Sequence, residues 1–189
     1  MSMAAKIYID QGHNPSGYNA GAEGNGYREQ DLVYEIGQRT ASFLRAAGFD
    51  VRVSRPTKET QLGTSNATSL AARVNDANAW GADYFISLHA NASTNTAASG
   101  SEAFAYRIPS NGASLAEAIL RGLAAVTGLP NRGVSARPGL YVLRRTRMPA
   151  TLVELGFITN AGDAALMASS PDLFAEGITD GVLDYFDMS

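Results

Sequence analysis

Residues 83–89, Asp-Tyr-Phe-Ile-Ser-Leu-His, are the stretch of this 189-residue chain that most directly indicates its fold. Apolar side chains dominate the run, which predicts a short strand buried on both faces and ending at a histidine. To either side of it, similar short apolar runs alternate with segments whose apolar residues recur at helical spacing. The predicted strands are 6–10, 49–53, 83–89, 101–107, 140–143 and 150–155, and the predicted helices lie at 32–47, 70–80, 115–126, 161–168 and 171–186.

Strands alternating with helices over the whole length predict an α/β fold, with a mostly parallel twisted sheet of about six strands and helices on both faces. The length suits one domain with a sizeable core, and no linker or repeat divides it. We therefore expect a single domain over residues 1–189, with its core at 6–186.

Cysteine and histidine counts restrict the chemistry that this chain can perform. It contains no cysteine, which excludes a disulfide framework, a thiol nucleophile, a thiolate zinc site and a cysteine-ligated iron–sulfur cluster. It contains two histidines, His13 and His89. Any imidazole or metal chemistry must therefore use one or both of them, together with carboxylates chosen from the 18 Asp and Glu residues.

Net charge and hydropathy argue against two classes of partner. The formal net charge is −3, so the chain provides no general electrostatic field for nucleic acid, and we expect no nucleic-acid partner. No uninterrupted apolar run reaches the roughly 18 residues of a membrane span, and the N-terminal residues lack the apolar core of a signal peptide. We expect no membrane span.

Three side chains that are capable of acid–base or metal-binding chemistry follow or end predicted strands. His13 follows the first strand, His89 ends the strand 83–89, and Glu154 lies at the end of the apolar run 150–153. Sheets of this class place their ligands outside the carboxyl ends of the strands. A single histidine is more often a satisfied polar residue than a ligand, but here both histidines of the chain are expected at the same edge.

A zinc site with two histidines needs a carboxylate as its third protein ligand. Glu29 is the best placed, because it stands where the glycine-rich loop 14–27 enters a helix, and the helix N-terminus favours the ionised carboxylate. The alternative is that Glu29 only stabilises the helix N-terminus, and position alone does not decide between the two.

Glu154 has apolar neighbours along the chain, so burial would raise its pKa towards the range of a general acid or base. The alternative is a carboxylate that points outwards from the sheet edge.

Four blocks of this sequence follow one another in a recognisable order. They are Asp10-Gln11-Gly12-His13, Gly26-Tyr27-Arg28-Glu29-Gln30-Asp31-Leu32, Ser87-Leu88-His89-Ala90-Asn91-Ala92 and residues 149–160, Pro-Ala-Thr-Leu-Val-Glu-Leu-Gly-Phe-Ile-Thr-Asn. These blocks resemble the signature blocks of the zinc-dependent N-acetylmuramoyl-L-alanine amidases, a family that includes bacterial autolysins and phage endolysins. The similarity covers roughly residues 6–186.

The resemblance implies a function for each of four positions. His13, Glu29 and His89 would bind one Zn²⁺ ion, and Glu154 would be the catalytic carboxylate. The implied substrate is peptidoglycan, cut at the amide between the lactyl group of N-acetylmuramic acid and the L-alanine of the stem peptide. Gln11 and Asn14 depart from the family pattern, which usually shows proline and glycine there, and this affects the shape of the loop rather than the ligands.

The segment 132–147 contains five arginines and no acidic residue. It is either a solvated loop or a clamp for carboxylates of the stem peptide, for which a guanidinium suits bidentate contact. For the clamp we single out Arg132, Arg144 and Arg145, and we add Asn91 as a further substrate-binding residue.

Three other functions compete with this interpretation. The glycines of 21–26 do not have the spacing of a nucleotide-binding loop, and Glu23 would repel a phosphate. A non-catalytic peptidoglycan-binding module would be expected to have lost a ligand or the catalytic glutamate. A zinc peptidase that cuts within the stem peptide would use the same metal chemistry. We expect a monomer acting at the bacterial cell wall, released through a holin-type pore or secreted with a leader since removed.

Overall fold

The computed structural model describes residues 4–188 and confirms an α/β fold built on one six-stranded sheet. The strand order across this sheet is β4-β1-β5-β8-β6-β7. Its strands are β1 (Lys6–Gln11), β4 (Asp50–Val53), β5 (Tyr84–Asn91), β6 (Ser101–Ala105), β7 (Asn131–Ala136) and β8 (Ala150–Phe157). A separate two-stranded ribbon, β2 (Glu23–Gly24) and β3 (Tyr27–Arg28), lies within the glycine-rich loop.

Within residues 4–188, six helices surround the sheet. They are α1 (Glu29–Ala46), α2 (Asn66–Trp80), α3 (Asn111–Thr127), α4 (Tyr141–Arg145), α5 (Ala161–Ser169) and α6 (Pro171–Tyr185). No helix within residues 4–188 is long and apolar enough to cross a membrane. The start of α6 agrees with the sequence, because Pro171 occupies its first turn, where a missing backbone N–H costs nothing.

Two apolar clusters form the core, one on each face of the sheet. The larger cluster buries one side of the sheet against α1, α3 and α6, with residues such as Ile36, Ile119 and Ile178. The smaller cluster lies under α2 and α4 and includes Val74 and Leu152. Because strands β1, β5 and β8 are covered on both faces, they appear in the sequence as nearly continuous apolar runs.

Strand direction determines which residues share an edge. Strands β4, β1, β5 and β8 run parallel, whereas β6 is antiparallel to β8 and β7 is parallel to β6. The start of β6 therefore lies at the same edge of the sheet as the carboxyl ends of β1 and β5. In the register, His89 on β5 pairs with Glu154 on β8, and Glu154 pairs in turn with Glu102 on β6.

Two sequence-based assignments are wrong. Residues 140–143, predicted as a strand, begin helix α4, because a short apolar run shows no periodicity that separates strand from buried helix. Residues 131–136 form strand β7, which we had not predicted. This edge strand is exposed at almost every position, so the alternation that marks a half-buried strand is missing from its sequence.

Candidate active site

His13, Glu29 and His89 converge at one edge of the main sheet. The loop after β1 carries His13, the first residue of α1 is Glu29, and β5 carries His89. His13 Nε2 lies 2.9 Å from Glu29 Oε1, and His89 Nδ1 lies 3.1 Å from both of these atoms. The structure therefore brings together the three residues for which the sequence predicts a metal site. They lie close enough to one another to hold one metal ion.

Hydrogen bonds at the outer ring nitrogens define the tautomers of both histidines. His13 Nδ1 lies 3.2 Å from the carbonyl oxygen of Asn19, which can only accept, so Nδ1 carries the proton. His89 Nε2 lies 3.2 Å from Ser87 Oγ, whose own proton is donated to Asp10 Oδ2 at 2.7 Å. In the neutral rings, the lone pairs of His13 Nε2 and His89 Nδ1 therefore point at each other and at the Glu29 carboxylate.

This donor set fits a zinc ion. Two nitrogen lone pairs and one carboxylate oxygen about 3 Å apart repel one another unless a cation lies between them. The atoms bound to a tetrahedral zinc ion at about 2.0–2.1 Å are separated by about 3.3 Å, close to the spacing observed. The other oxygen of Glu29 accepts a hydrogen bond from Ala22 N at 2.9 Å, and Oε1 accepts one from Ala90 N at 3.0 Å.

The charge state of Glu29 also suits a metal ligand. Burial acts to raise the pKa of Glu29, but in the metal-free site imidazoles that are protonated on the nitrogens facing Glu29 outweigh burial, through hydrogen bonds and positive charge, and hold that pKa below its usual range. Glu29 is therefore ionised at neutral pH. Contact with both imidazoles favours the metal-binding role that the sequence left open, although its carboxylate also lies at the N-terminus of α1.

One buried guanidinium connects both histidines. Arg73, on α2, is 1% exposed and forms an ion pair with Asp10 at 2.7 Å. Its second terminal nitrogen donates to the main-chain carbonyl of His13. Asp10 also accepts a hydrogen bond from the Ser87 hydroxyl, and Ser87 Oγ is hydrogen-bonded to His89 Nε2. Hydrogen bonds therefore link Arg73 to His89 through Asp10 and Ser87. A single cation therefore orients the His13 loop and the His89 ring together.

Two glycines allow the backbone to pass close to the ligand side chains. A Cβ atom on Gly12 would lie 2.5 Å from His89 Cε1, and one on Gly21 would lie 2.8 Å from Glu29 Cβ. His13 itself has a positive φ of 67°, an uncommon conformation for a residue with a side chain. The backbone of the loop is thus strained at His13, and the contacts of Arg73 hold this part of the loop in place.

Glu154 is the desolvated acid beside this site. Burial, together with the nearby carboxylates of Glu29 and Glu102, raises the pKa of Glu154 to about 8. Its Oε2 is buried and has no hydrogen-bond partner within residues 4–188. Glu154 lies in the middle of β8 rather than at its end, as the sequence had placed it, yet its pairing with His89 keeps it beside the candidate ligands.

Glu102 is a residue of this region that the sequence analysis missed. It pairs with Glu154 across the sheet, and its carboxylate accepts a hydrogen bond from the side-chain amide of Asn91. A rule based on the carboxyl ends of strands overlooks Glu102, because β6 is antiparallel and contributes its first residues to this edge. Its one sequence signal was a charged residue at the start of a predicted strand.

The three arginines of the suggested clamp lie in different places. Arg132 stacks on Phe157 at 5.1 Å and donates to the carbonyl of Ser99, near the C-terminal end of β8. Arg144 and Arg145 are both on α4, but of these two only Arg144 lines the cavity between α4 and the start of α3. A smaller cavity of about 190 Å³ lies beside His13 and His89 and is bounded by Tyr141 of α4.

Together, the fold and the site define a class: a domain of α/β fold with a candidate metal site and a desolvated acid at one sheet edge, an arrangement suited to metal-dependent hydrolysis. Comparison with known proteins gives the family. The sequence model of N-acetylmuramoyl-L-alanine amidase matches residues 7–184. The chain belongs to this family.

Comparison with individual proteins supports this family assignment. The chain is 38% identical over 187 residues to the N-acetylmuramoyl-L-alanine amidase LytC of Bacillus subtilis, covering 95% of this chain and 35% of LytC. It is 32% identical over 195 residues to the endolysin of Bacillus phage SPP1, covering 98% of this chain and 68% of the endolysin. The solved structure of the N-acetylmuramoyl-L-alanine amidase AmiC2 of Nostoc punctiforme is 31% identical, with a TM-score of 0.83 over 97% of each chain. The chain thus spans about a third of the length of LytC and nearly all of the AmiC2 structure.

Proposed function

We propose that this domain hydrolyses the amide bond between the lactyl group of N-acetylmuramic acid and the L-alanine of the peptidoglycan stem peptide. His13, Glu29 and His89 hold one Zn²⁺ ion, and Glu154 is the catalytic acid and base. The products are an intact glycan and a peptide with a free alanine amino group. The proposal covers the site of action, the bacterial cell wall, where the amidase family acts.

The observation that carries this proposal is the placement of Glu154 beside the three-residue donor set. The three residues His13, Glu29 and His89 by themselves would also be compatible with a structural metal site. A carboxyl group with a buried oxygen that has no hydrogen-bond partner within residues 4–188, in register with His89, is instead suited to proton transfer beside the candidate metal ligands. Membership of the amidase family supplies the identity of the bond.

The protein side chains divide the work of hydrolysis. His13, Glu29 and His89 would hold the zinc ion, which would supply Lewis acidity to the attacking water and the scissile carbonyl. Glu154 accepts a proton from the attacking water and delivers it to the leaving nitrogen. Its pKa, raised to about 8 in the metal-free protein, lies close enough to neutral pH for the carboxyl group both to accept and to release a proton. Ser87 and Asn19 hold the imidazole tautomers, so that both lone pairs stay directed at the metal position.

Digestion of purified peptidoglycan tests the bond, the reaction and the metal together. Free alanine amino termini and reducing sugars are scored with the protein as purified, after treatment with a chelator, and after zinc is added back. We expect alanine termini that disappear with the chelator and return with zinc, and no increase in reducing ends. New termini at other stem-peptide residues would identify a zinc peptidase instead, and activity that survives complete removal of metal would contradict the zinc assignment.

Variants separate metal binding from proton transfer. Glu154→Gln keeps the size of the side chain but cannot accept a proton, so turnover should fall by a factor of about 10² or more while bound zinc stays near one per chain. His13→Ala and His89→Ala should lose bound zinc as well as activity. Full activity in Glu154→Gln would refute the role of this residue.

A further inference from the structure

A second, larger cavity lies away from the metal-ligand cluster. Its volume is about 590 Å³, and it lies between the end of β6, the start of α3 and the segment that joins α4 to β8. Ala150, the first residue of β8, forms part of its wall. Ala150 precedes Glu154 by four residues, or about 13 Å along an extended strand. The catalytic site described above does not use this cavity.

Three arginines line this cavity: Arg107, Arg144 and Arg147. None of their guanidinium groups has a hydrogen-bond or ion-pair partner within residues 4–188, whereas five other arginines of that range form ion pairs. The lining includes no acidic side chain. All three arginines are exposed to solvent, so these unpaired guanidinium groups around one concavity present concentrated positive charge to an anion from outside the chain.

The start of helix α3 adds to this positive potential. Asn111 and Gly112, the first two residues of the 17-residue helix, line the cavity, and the helix N-terminus carries a partial positive charge. Tyr106, 47% exposed, lies on the same wall and offers an aromatic surface next to the guanidinium groups. The cavity can therefore hold an oxyanion together with an apolar or sugar-like portion of the same ligand.

The charge along the chain supports the same conclusion. Residues 103–153 contain seven arginines and a single acidic residue, Glu117, so this segment carries a net charge of +6. The whole chain carries −3, so the remaining residues are strongly acidic. A protein with an overall negative charge that concentrates its arginines in one segment presents a local anion-binding surface, not a general one.

We propose that the cavity lined by Arg107, Arg144 and Arg147 is a second binding site for peptidoglycan and takes the carboxylates of a stem peptide other than the one being cut. The choice of ligand rests on the proposed function, because stem peptides repeat along the glycan and carry free carboxylates. Guanidinium groups bind carboxylates through paired, charge-assisted hydrogen bonds. The site would hold the domain on the wall polymer while the metal site works on a neighbouring repeat.

Helix α4 lies between this cavity and the smaller cavity beside His13 and His89, because Tyr141 and Val142 line the smaller one and Leu143 and Arg144 line the larger. Arg137 stacks on Phe104 at 4.9 Å, and Val142 and Leu143 pack into the core cluster above β8. A short substrate bound at Glu154 would therefore have to extend past α4 to reach the three arginines. This separation gives the test its contrast between a small soluble substrate and the polymeric wall.

The test compares two triple variants with the same change in net charge. One replaces the cavity arginines (Arg107→Gln, Arg144→Gln, Arg147→Gln), and the matched control replaces three ion-paired surface arginines elsewhere (Arg39→Gln, Arg52→Gln, Arg121→Gln). Binding to insoluble peptidoglycan is measured by sedimentation in a Glu154→Gln background, so that the wall is not consumed. Turnover of a soluble muramoyl peptide with one stem is measured with Glu154 intact, and circular dichroism verifies folding.

We expect the cavity variant to bind peptidoglycan at least about fivefold more weakly than the parent at low salt, with the difference shrinking as salt is raised. The control should change binding by less than about twofold, and both triple variants should turn over the soluble substrate within about twofold of the parent. Unchanged peptidoglycan binding would overturn the proposal. So would equal losses in both triple variants, which would indicate net charge alone, or an equal loss on the soluble substrate, which would place the arginines in the catalytic cleft.

Chemical treatment of the wall identifies the source of the anion. Converting stem-peptide carboxylates to amides should abolish the difference between the cavity variant and its parent, whereas stripping phosphate polymers from the wall should leave it in place. The reverse pattern would overturn the assignment to carboxylates. If the parent enzyme released no alanine termini but bound the wall through these arginines, the proposed function would be contradicted and the binding site supported.

Discussion

The Glu154 side chain is an ionisable group in a desolvated position, and its titration should be visible in the stability of the metal-free protein. Folding raises its pKa from 4.5 to about 8, so the folded state retains a proton that the unfolded state releases. This favourable contribution is complete below about pH 4.5 and is lost as the pH rises through about 8. Replacing Glu154 by Gln removes the titration.

We therefore expect the stability of Glu154→Gln, relative to the parent, to increase between about pH 4.5 and 8 by an amount on the order of a few kcal/mol, and then to level off. Urea unfolding in the presence of chelator measures the difference. Glu176→Gln, on the exposed face of α6, is the control and should show no comparable rise. A constant difference for Glu154→Gln over this interval would mean that the carboxyl group is solvated.

Ser87 should affect metal binding through the orientation of His89. Its hydroxyl accepts a hydrogen bond from His89 Nε2, so Ser87→Ala frees the ring to change tautomer or rotate. We expect zinc affinity to fall by about 10- to 100-fold, and the metal-free protein to lose on the order of 1–3 kcal/mol in stability because Asp10 Oδ2 also loses its hydroxyl donor. Competition with a chromogenic chelator measures the affinity.

Ser54→Ala is the matched control for that prediction. Ser54 is a buried hydroxyl of the same network, accepting from Gln11 N at 2.9 Å, and it contacts neither histidine. The zinc affinity of Ser54→Ala should stay within about threefold of the parent, because the hydrogen bonds that orient His89 remain. Equal losses in both variants would show that general loosening of the core, not the His89 tautomer, controls metal affinity.

At the scale of elements, the pairing of α3 with α6 depends on glycines. A Cβ atom on Gly122 would lie 2.1 Å from the carbonyl oxygen of Gly177, and one on Gly181 would lie 2.5 Å from Ile119 Cα. These obstacles are backbone atoms, which cannot move aside as a flexible side chain can. The two helices therefore approach more closely than any larger residue at these positions permits.

Gly122→Ala should accordingly destabilise the protein by about 1–3 kcal/mol, although alanine is the better helix former by about 1 kcal/mol. Gly162→Ala, in the first turn of α5, is the control, because the nearest atom to its Cβ would be Asn160 Oδ1 at 3.3 Å. That variant should be neutral or slightly stabilising. Chemical denaturation measures both, and a neutral Gly122→Ala would mean that α3 and α6 can separate at little cost.

The sequence predicted the elements that are long and periodic or buried on both faces. The amphipathic helices α1, α3 and α6 and the apolar strands β1, β5 and β8 were all foreseen. Helix α4, only five residues long, and the exposed edge strand β7 were not, because neither carries a periodic signal. The sequence also did not indicate that β6 runs antiparallel to β8. The position of Glu102 beside Glu154 could therefore not be predicted.

At the site, the two histidines could be found by counting, because the chain has no others. The choice of Glu29 and Glu154 among 18 acidic residues came from helix entry, apolar neighbours and the family resemblance. The buried connection from Arg73 through Asp10 and Ser87 to His89 could not be predicted, since it joins residues up to 77 positions apart. Such contacts follow from strand order, which the sequence does not state.

At the scale of the whole molecule, zinc binding should be coupled to the unfolding of the entire chain. The three candidate ligands lie on the β1 loop, α1 and β5, and both faces of the sheet pack on the same central strands. Metal that binds only the folded arrangement stabilises it by about 2.7 kcal/mol when free zinc is 100 times the dissociation constant. For a domain of this size, that corresponds to a rise in Tm of about 5–10 °C.

Calorimetry should therefore show one unfolding transition for residues 1–189, shifted upwards by zinc and back by chelator, if the chain is a single domain. Glu154→Gln should keep the zinc-dependent shift, because this residue is not a ligand, whereas His89→Ala and Glu29→Gln should lose it. Two transitions, only one of which responds to zinc, would show that the chain divides into separately folding parts. A full zinc shift in His89→Ala would place the metal elsewhere, because the remaining His13 and Glu29 supply too few donors for a stable tetrahedral site.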